Sequence, residues 1–220
     1  MLILPLGKEG SNGIQFFTLL IISLCILMFA ITGMGHNTLW LAYYPESYNP
    51  LYMLSSAFCH GDIIHITGNL FFFFCFASTV EKSSTSFGFF FCFLVFVFIP
   101  DIAYSISTYS NIPTIGLSGV VWGYMGVFLA LYPTSNVKCL VWYLIIIKKI
   151  EVPSFIFILA FLAFDIGAAK NGVISNVNYV AHFAGFGAGV ITKLFIWPLL
   201  EKKKPSEKTA IYHNKRQRKW

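Results

Sequence analysis

Charge is the scarcest ingredient of this chain. Asp, Glu, Lys and Arg together make up 11% of its 220 residues, whereas ordinary soluble domains carry about 25%. With 57% hydrophobic residues and a mean hydropathy of +0.72, a soluble globule is excluded. Cysteine is sparse too. The five thiols (Cys25, Cys59, Cys75, Cys92, Cys139) are odd in number and contain no C-x-x-C pair, which argues against a disulfide framework or a zinc ribbon. They read as small apolar filler. Strict alternation of apolar and polar residues is also missing, and continuous apolar runs take its place, which favours helices over a closed β-barrel. No basic stretch lies directly ahead of the first apolar run and no A-x-A site follows it, so residues 14–31 read as a span and not as a cleaved leader.

What is present is a series of apolar segments, and the length suits about six helices of roughly 20 residues. They cover residues 14–34, 54–80, 87–106, 118–132, 153–169 and 179–200. The loop at 35–53 is rich in Tyr, Trp, Asn and Pro, amphipathic side chains suited to a membrane interface. A shorter apolar piece at 139–147 ends in Lys148-Lys149 and reads as an interfacial segment. The expected fold is an all-α membrane protein: a six-helix membrane domain at 14–200 between a cytoplasmic N-terminus at 1–13 and a basic cytoplasmic tail at 201–220.

Charge sets the expected orientation. Lys8, Lys82, Lys138, Lys148, Lys149 and the tail's eight Lys/Arg fall on the side of the termini, and only Lys170 on the other. By the positive-inside rule both termini are cytoplasmic. The tail reads as an orientation signal that anionic lipid would also attract. It is short and lacks an accompanying fold, so no nucleic-acid partner is expected.

Against this apolar background the polar residues stand out. Ser118 opens the fourth span in Gly116-Leu117-Ser118-Gly119, and His182 lies inside the sixth in Ala181-His182-Phe183-Ala184-Gly185. Ionisable groups at membrane depth are costly and mark functional sites by default, and Ser with His is the minimal pair for nucleophilic catalysis. The fourth span is short, so Ser118 is expected below the outer surface, at a helix start whose free N–H groups favour negative charge. Gly119 and Gly123 in the fourth span have a counterpart at the same spacing in the sixth, Gly185 and Gly189. Small residues four apart let helices approach closely in lipid, which gives the fourth and sixth spans a reason to pack. His65 and Asn69, at i and i+4, share a helix face and can donate hydrogen bonds to an oxyanion. A metal site built from His60, Asp62, His65 and His182 is the competing reading. His60 and His65 are five apart and share a face poorly, and a solvated outer mouth accounts for His60 and Asp62 more simply.

Together, G-L-S-G-V-V at 116–121, A-H-x-x-G-x-x-x-G at 181–189 and H-G-D-x-x-H-x-x-x-N at 60–69 resemble the rhomboid intramembrane serine proteases. Val80-Glu81-Lys82 and Phe164-Asp165 also fit bacterial members of that family. The resemblance runs from about residue 50 to 194. It implies a Ser118–His182 dyad without an acid, an oxyanion hole of His65, Asn69 and the Ser118 N–H, and a structural role for Glu81. It also implies a mobile gate at 170–178 and the fifth span. Where family members often carry Tyr one turn after the serine, this chain has Trp122, and Leu51-Tyr52 stands where a Trp-Arg pair is common.

The expected function is therefore hydrolysis of a peptide bond in or beside a single-pass substrate's transmembrane segment, in the bacterial inner membrane. No cofactor and no metal are required. Two other classes compete: a non-proteolytic rhomboid-like protein that binds membrane clients, and a small transporter using Asp101, Asp165 and the histidines as a proton path. Retention of all four reacting groups argues against the first, and the lack of an evident inverted repeat against the second.

Overall fold

The computed structural model describes residues 2–5, 15–108, 111–143, 146–171 and 177–202, with the backbone alone at 2–5 and 139–148. Most of the tail and much of the expected gate loop at 170–178 lie outside the described residues. Helices dominate: α1 (Phe16–Ile31), α2 (Pro50–Ser56), α3 (Ile63–Ser83), α4 (Ser86–Ser107), α5 (Ser118–Leu131), α6 (Ser154–Asn171), α7 (Tyr179–Ile191) and α8 (Trp197–Leu200). A π-helical stretch, Thr192–Ile196, joins the last two, so Tyr179–Leu200 runs on for 22 residues.

Four of these are long and apolar enough to cross a bilayer: α3, α4, α6 and Tyr179–Leu200. The apolar helices α1 and α5 have 16 and 14 residues. At 1.5 Å per residue they reach only about 24 and 21 Å, against a hydrocarbon core of about 30 Å. The short α5 is central, with every residue from Gly119 to Phe128 buried. Tyr124 anchors its middle: the ring packs among Phe73, Phe89 and Phe96, and the hydroxyl donates to the Phe89 carbonyl at 2.9 Å.

Local side chains start the helices. Asp62 accepts from the His65 N–H at 2.7 Å and begins α3. Thr85 accepts from the Gly88 N–H at 3.0 Å and begins α4, and Asn178 accepts from the Ala181 N–H at 3.0 Å and begins α7. Each supplies an acceptor to a first-turn N–H that has no intrahelical partner. No side chain of its own caps α1, and Glu81 from the far end of α3 takes that place. Its carboxylate accepts from the N–H groups of Phe17 and Thr18 at 2.9 and 2.8 Å, and from the Thr18 hydroxyl at 2.6 Å. A buried acid thus ties α1 to α3, with its charge at the positive end of the α1 dipole.

Two regions differ from the sequence reading. The segment 54–80 is not one helix: the chain leaves α2, turns through 57–62 and starts again at Ile63, where Asp62 provides the cap. The piece at 136–152 forms a hairpin, β2 (Asn136–Tyr143) and β3 (Ile146–Pro153), and β1 (Leu2–Pro5) pairs antiparallel with β2 to give the order β1-β2-β3. The helical architecture therefore carries a small antiparallel sheet, since the edge of β2 is satisfied by a strand from the distant N-terminus.

Candidate active site

The seam between α5 and α7 is made by bare backbone. A Cβ placed on Gly185 would overlap the Gly119 carbonyl, and one on Gly189 the Gly123 carbonyl. A Cβ on Gly126 would in turn overlap the Phe186 carbonyl. The small-residue stripes of the two helices thus face one another, and only glycine permits that approach. Gly119 also packs against the Pro100 ring of α4, with 3.0 Å from a built Cβ to the Pro100 Cβ.

Ser118 is the first residue of α5 and is half-buried. The turn ahead of it is fixed by two backbone hydrogen bonds. The Gly116 N–H donates to the Ser56 carbonyl at 2.9 Å, and the Leu117 N–H donates to His60 Nε2 at 3.4 Å. Gly116 has φ +114°, a conformation that side chains disfavour. There is also no room for one: a Cβ at Gly116 would lie 2.6 Å from His65 Nε2 and 3.4 Å from Asn69 Nδ2. Both donors therefore converge on the backbone two residues before Ser118. Asn69 Nδ2 is buried and has no hydrogen-bond partner among the described residues.

His182 lies on α7 beside this seam. Its ring is tilted 32° to that of Trp122 at a centroid distance of 5.7 Å, and Tyr179 meets it edge-on at 6.1 Å. Trp122, one turn after Ser118, is itself wedged against Phe186. His65 and His182 are within electrostatic reach of one another. Among the described residues no hydrogen bond joins the Ser118 hydroxyl to the imidazole. The Nδ1 of His182 has a partner that the sequence reading missed: Asp165 Oδ2 of α6, at 2.6 Å, with both side chains only 12% exposed. The available signal was an isolated acid in an apolar helix, 17 residues before the histidine.

The reading of His60 as part of a solvated mouth is corrected. Asp62 is exposed, but His60 is fully buried, stacked edge-on against His65 at 5.0 Å. Its acceptor nitrogen serves the otherwise unpaired Leu117 N–H. Burial, with His65 nearby, pushes its imidazole down to about 3, so it stays neutral and keeps that lone pair. A cavity of about 30 Å³ lies beside Ser118, lined among others by Asp101, Thr114, Gly116, Ser118 and Asn178. Its lining mixes polar and apolar groups, and it has room for a water or two. Among the described residues no three His, Cys, Asp or Glu side chains gather as a metal centre would require.

Apolar helices of spanning length enclosing a serine, two histidines and a carboxylate define an integral membrane protein with an internal polar site. Residues 47–199 match the Rhomboid domain, and the chain belongs to the rhomboid family. It is also similar to Rhomboid-like protein 11, chloroplastic, from Arabidopsis thaliana: 24% identical over 200 residues, covering 87% of this chain and 67% of that protein.

Proposed function

We propose that this protein is an intramembrane serine endopeptidase that cleaves transmembrane substrates with Ser118 as nucleophile and His182 as general base. The convergence of His65 Nε2 and Asn69 Nδ2 on the turn before Ser118 carries the reading. A buried amide donor without a partner is costly, and an oxyanion formed beside Ser118 would satisfy it. In the first half-reaction the Ser118 Oγ attacks the scissile carbonyl while His182 takes its proton. His65, Asn69 and the Ser118 N–H stabilise the tetrahedral oxyanion, and the imidazolium then protonates the leaving amine. Water from the adjacent cavity hydrolyses the acyl-enzyme in the second half-reaction. The hydroxyl–imidazole hydrogen bond forms with substrate in place, as is common in serine enzymes.

The same reading takes α1 and α5 as spans beside the four longer helices, giving six. It puts both termini in the cytoplasm of a bacterium and the site toward the opposite face. Substrates are single-pass helices that unwind locally, because helical hydrogen bonding shields the scissile carbonyl.

The test is labelling of the purified protein in detergent with a fluorophosphonate, followed by cleavage of a model transmembrane substrate. Wild type is labelled and cleaves, whereas Ser118→Ala and His182→Ala do neither. Equal labelling of all three, or none in folded wild type, sinks the assignment. Labelling without cleavage of any membrane substrate would favour a client-binding protein.

A further inference from the structure

The His182–Asp165 contact asks more of the site than a serine–histidine pair. An imidazole nitrogen 2.6 Å from a carboxylate oxygen carries its proton toward that oxygen, because an ionised carboxylate only accepts. The other ring nitrogen, Nε2, is then the free lone pair, which is the form a general base needs. The surroundings hold the ring as well as the proton. Trp122 covers one face, Tyr179 abuts it from one turn back on α7, and Asp165 reaches it from a different helix. Asp165 itself is buried and is the one polar side chain in the stretch 155–169 of α6, where an acid that served only the fold would be costly.

We propose that Asp165 is a positioning residue for the catalytic base: its carboxylate fixes the Nδ1–H tautomer of His182 and stabilises the imidazolium formed during catalysis, making the site a constellation of Ser118, His182 and Asp165. This rests on the protease reading above. No proton need pass to Asp165, since the proton taken from Ser118 goes to Nε2 and returns to the leaving amine. One consequence concerns α6. The acid lies on α6 and the base on α7, so displacing α6 far enough to break this contact removes the partner of the base.

Asp165→Asn keeps the shape and can keep a hydrogen bond, but loses the charge. We expect kcat on a transmembrane substrate to fall at least about 100-fold. KM should stay within about twofold, and the thermal midpoint in detergent should be unchanged. Asp165→Glu should recover at least about tenfold of that loss. A kcat for Asp165→Asn within about threefold of wild type overturns the proposal, as does a loss that merely tracks a lowered thermal midpoint. An independent reading comes from ¹⁵N-histidine NMR on Ser118→Ala, with His182 assigned by the signal missing in His182→Gln. A His182 ring protonated at Nδ1 supports the proposal, and one protonated at Nε2 overturns it, even should Asp165→Asn fail to fold. Inert wild-type protein would refute the protease reading itself, whereas active wild type with an equally active Asp165→Asn refutes only the role of Asp165.

Discussion

The α5–α7 seam that carries Ser118 and His182 and the docking of α6, which carries Asp165, are held by opposite means. Between α5 and α7 there is almost no side chain: Gly119 meets Gly185, Gly123 meets Gly189, and Gly126 meets the Phe186 carbonyl. Such a seam cannot repack, because nothing in it has a rotamer to change. Helix α6 is held by side chains that can. Phe157 and Phe161 pack on Phe72 and Phe76 of α3, the Ser154 hydroxyl donates to the Tyr132 carbonyl at 2.6 Å, and Asp165 reaches His182. Its own Gly167 has nothing within 4 Å of a built Cβ. The helices bearing Ser118 and His182 are thus fixed to one another, while the helix bearing Asp165 is docked by rings and by the polar contacts of Ser154 and Asp165.

The largest expected effect breaks the rigid side. Gly185→Val drives a branched side chain into the Gly119 backbone. Its cost should exceed the range of about 1–3 kcal/mol typical of overpacked cores, and thermal unfolding in detergent with size-exclusion chromatography should show little folded protein. A native-like melt would mean that the seam is looser than its geometry. Next come the donors. His65→Ala or Asn69→Ala should each lower kcat about 10²–10³-fold with little change in melting temperature, measured on a model transmembrane substrate. Intact turnover in Asn69→Ala would remove it from the oxyanion hole.

A smaller effect concerns pH. His60 is pushed down from 6.5 to about 3 by burial. Below 6.5 the unfolded chain takes up a proton that the folded protein refuses, so this residue lowers stability as pH falls through that value and has no effect above it. Melting temperatures of wild type between pH 7.5 and 5 should decline, and His60→Gln should flatten the slope. An unchanged slope would assign the acid sensitivity elsewhere. The smallest effect tests the loose side. Gly167→Ala has open space around it and should change stability by no more than about 1 kcal/mol, in the stabilising direction that alanine gives a helix. A marked loss there would show a packing partner for α6.

Some of this was legible because its causes are local. The limits of α4, α5 and α6 follow Thr85, the Gly116–Ser118 turn and Pro153 to within a residue or two, since caps and breakers act over one turn. The facing glycines were legible for a different reason: a small-residue stripe has few uses in an apolar helix other than close packing. The break between α2 and α3 had a local signal, His60-Gly61-Asp62 ahead of the apolar run, but those polar residues were read for chemistry and not as a turn and cap. The burial of His60 was hidden because the group it serves, the Leu117 N–H, lies 57 positions away. The strand pairing of Leu2–Pro5 with the hairpin is equally non-local.

The sequence alone determined that this is a helical membrane protein and which polar residues could carry chemistry, because the hydrophobic effect and the cost of polar groups in lipid act residue by residue. The tertiary structure decided which of them meet. His65 and Asn69 come together over Gly116, and Asp165 rather than Asp101 reaches His182. Such meetings depend on how helices distant in the chain pack, a choice made here by glycine seams and ring contacts that no single segment encodes.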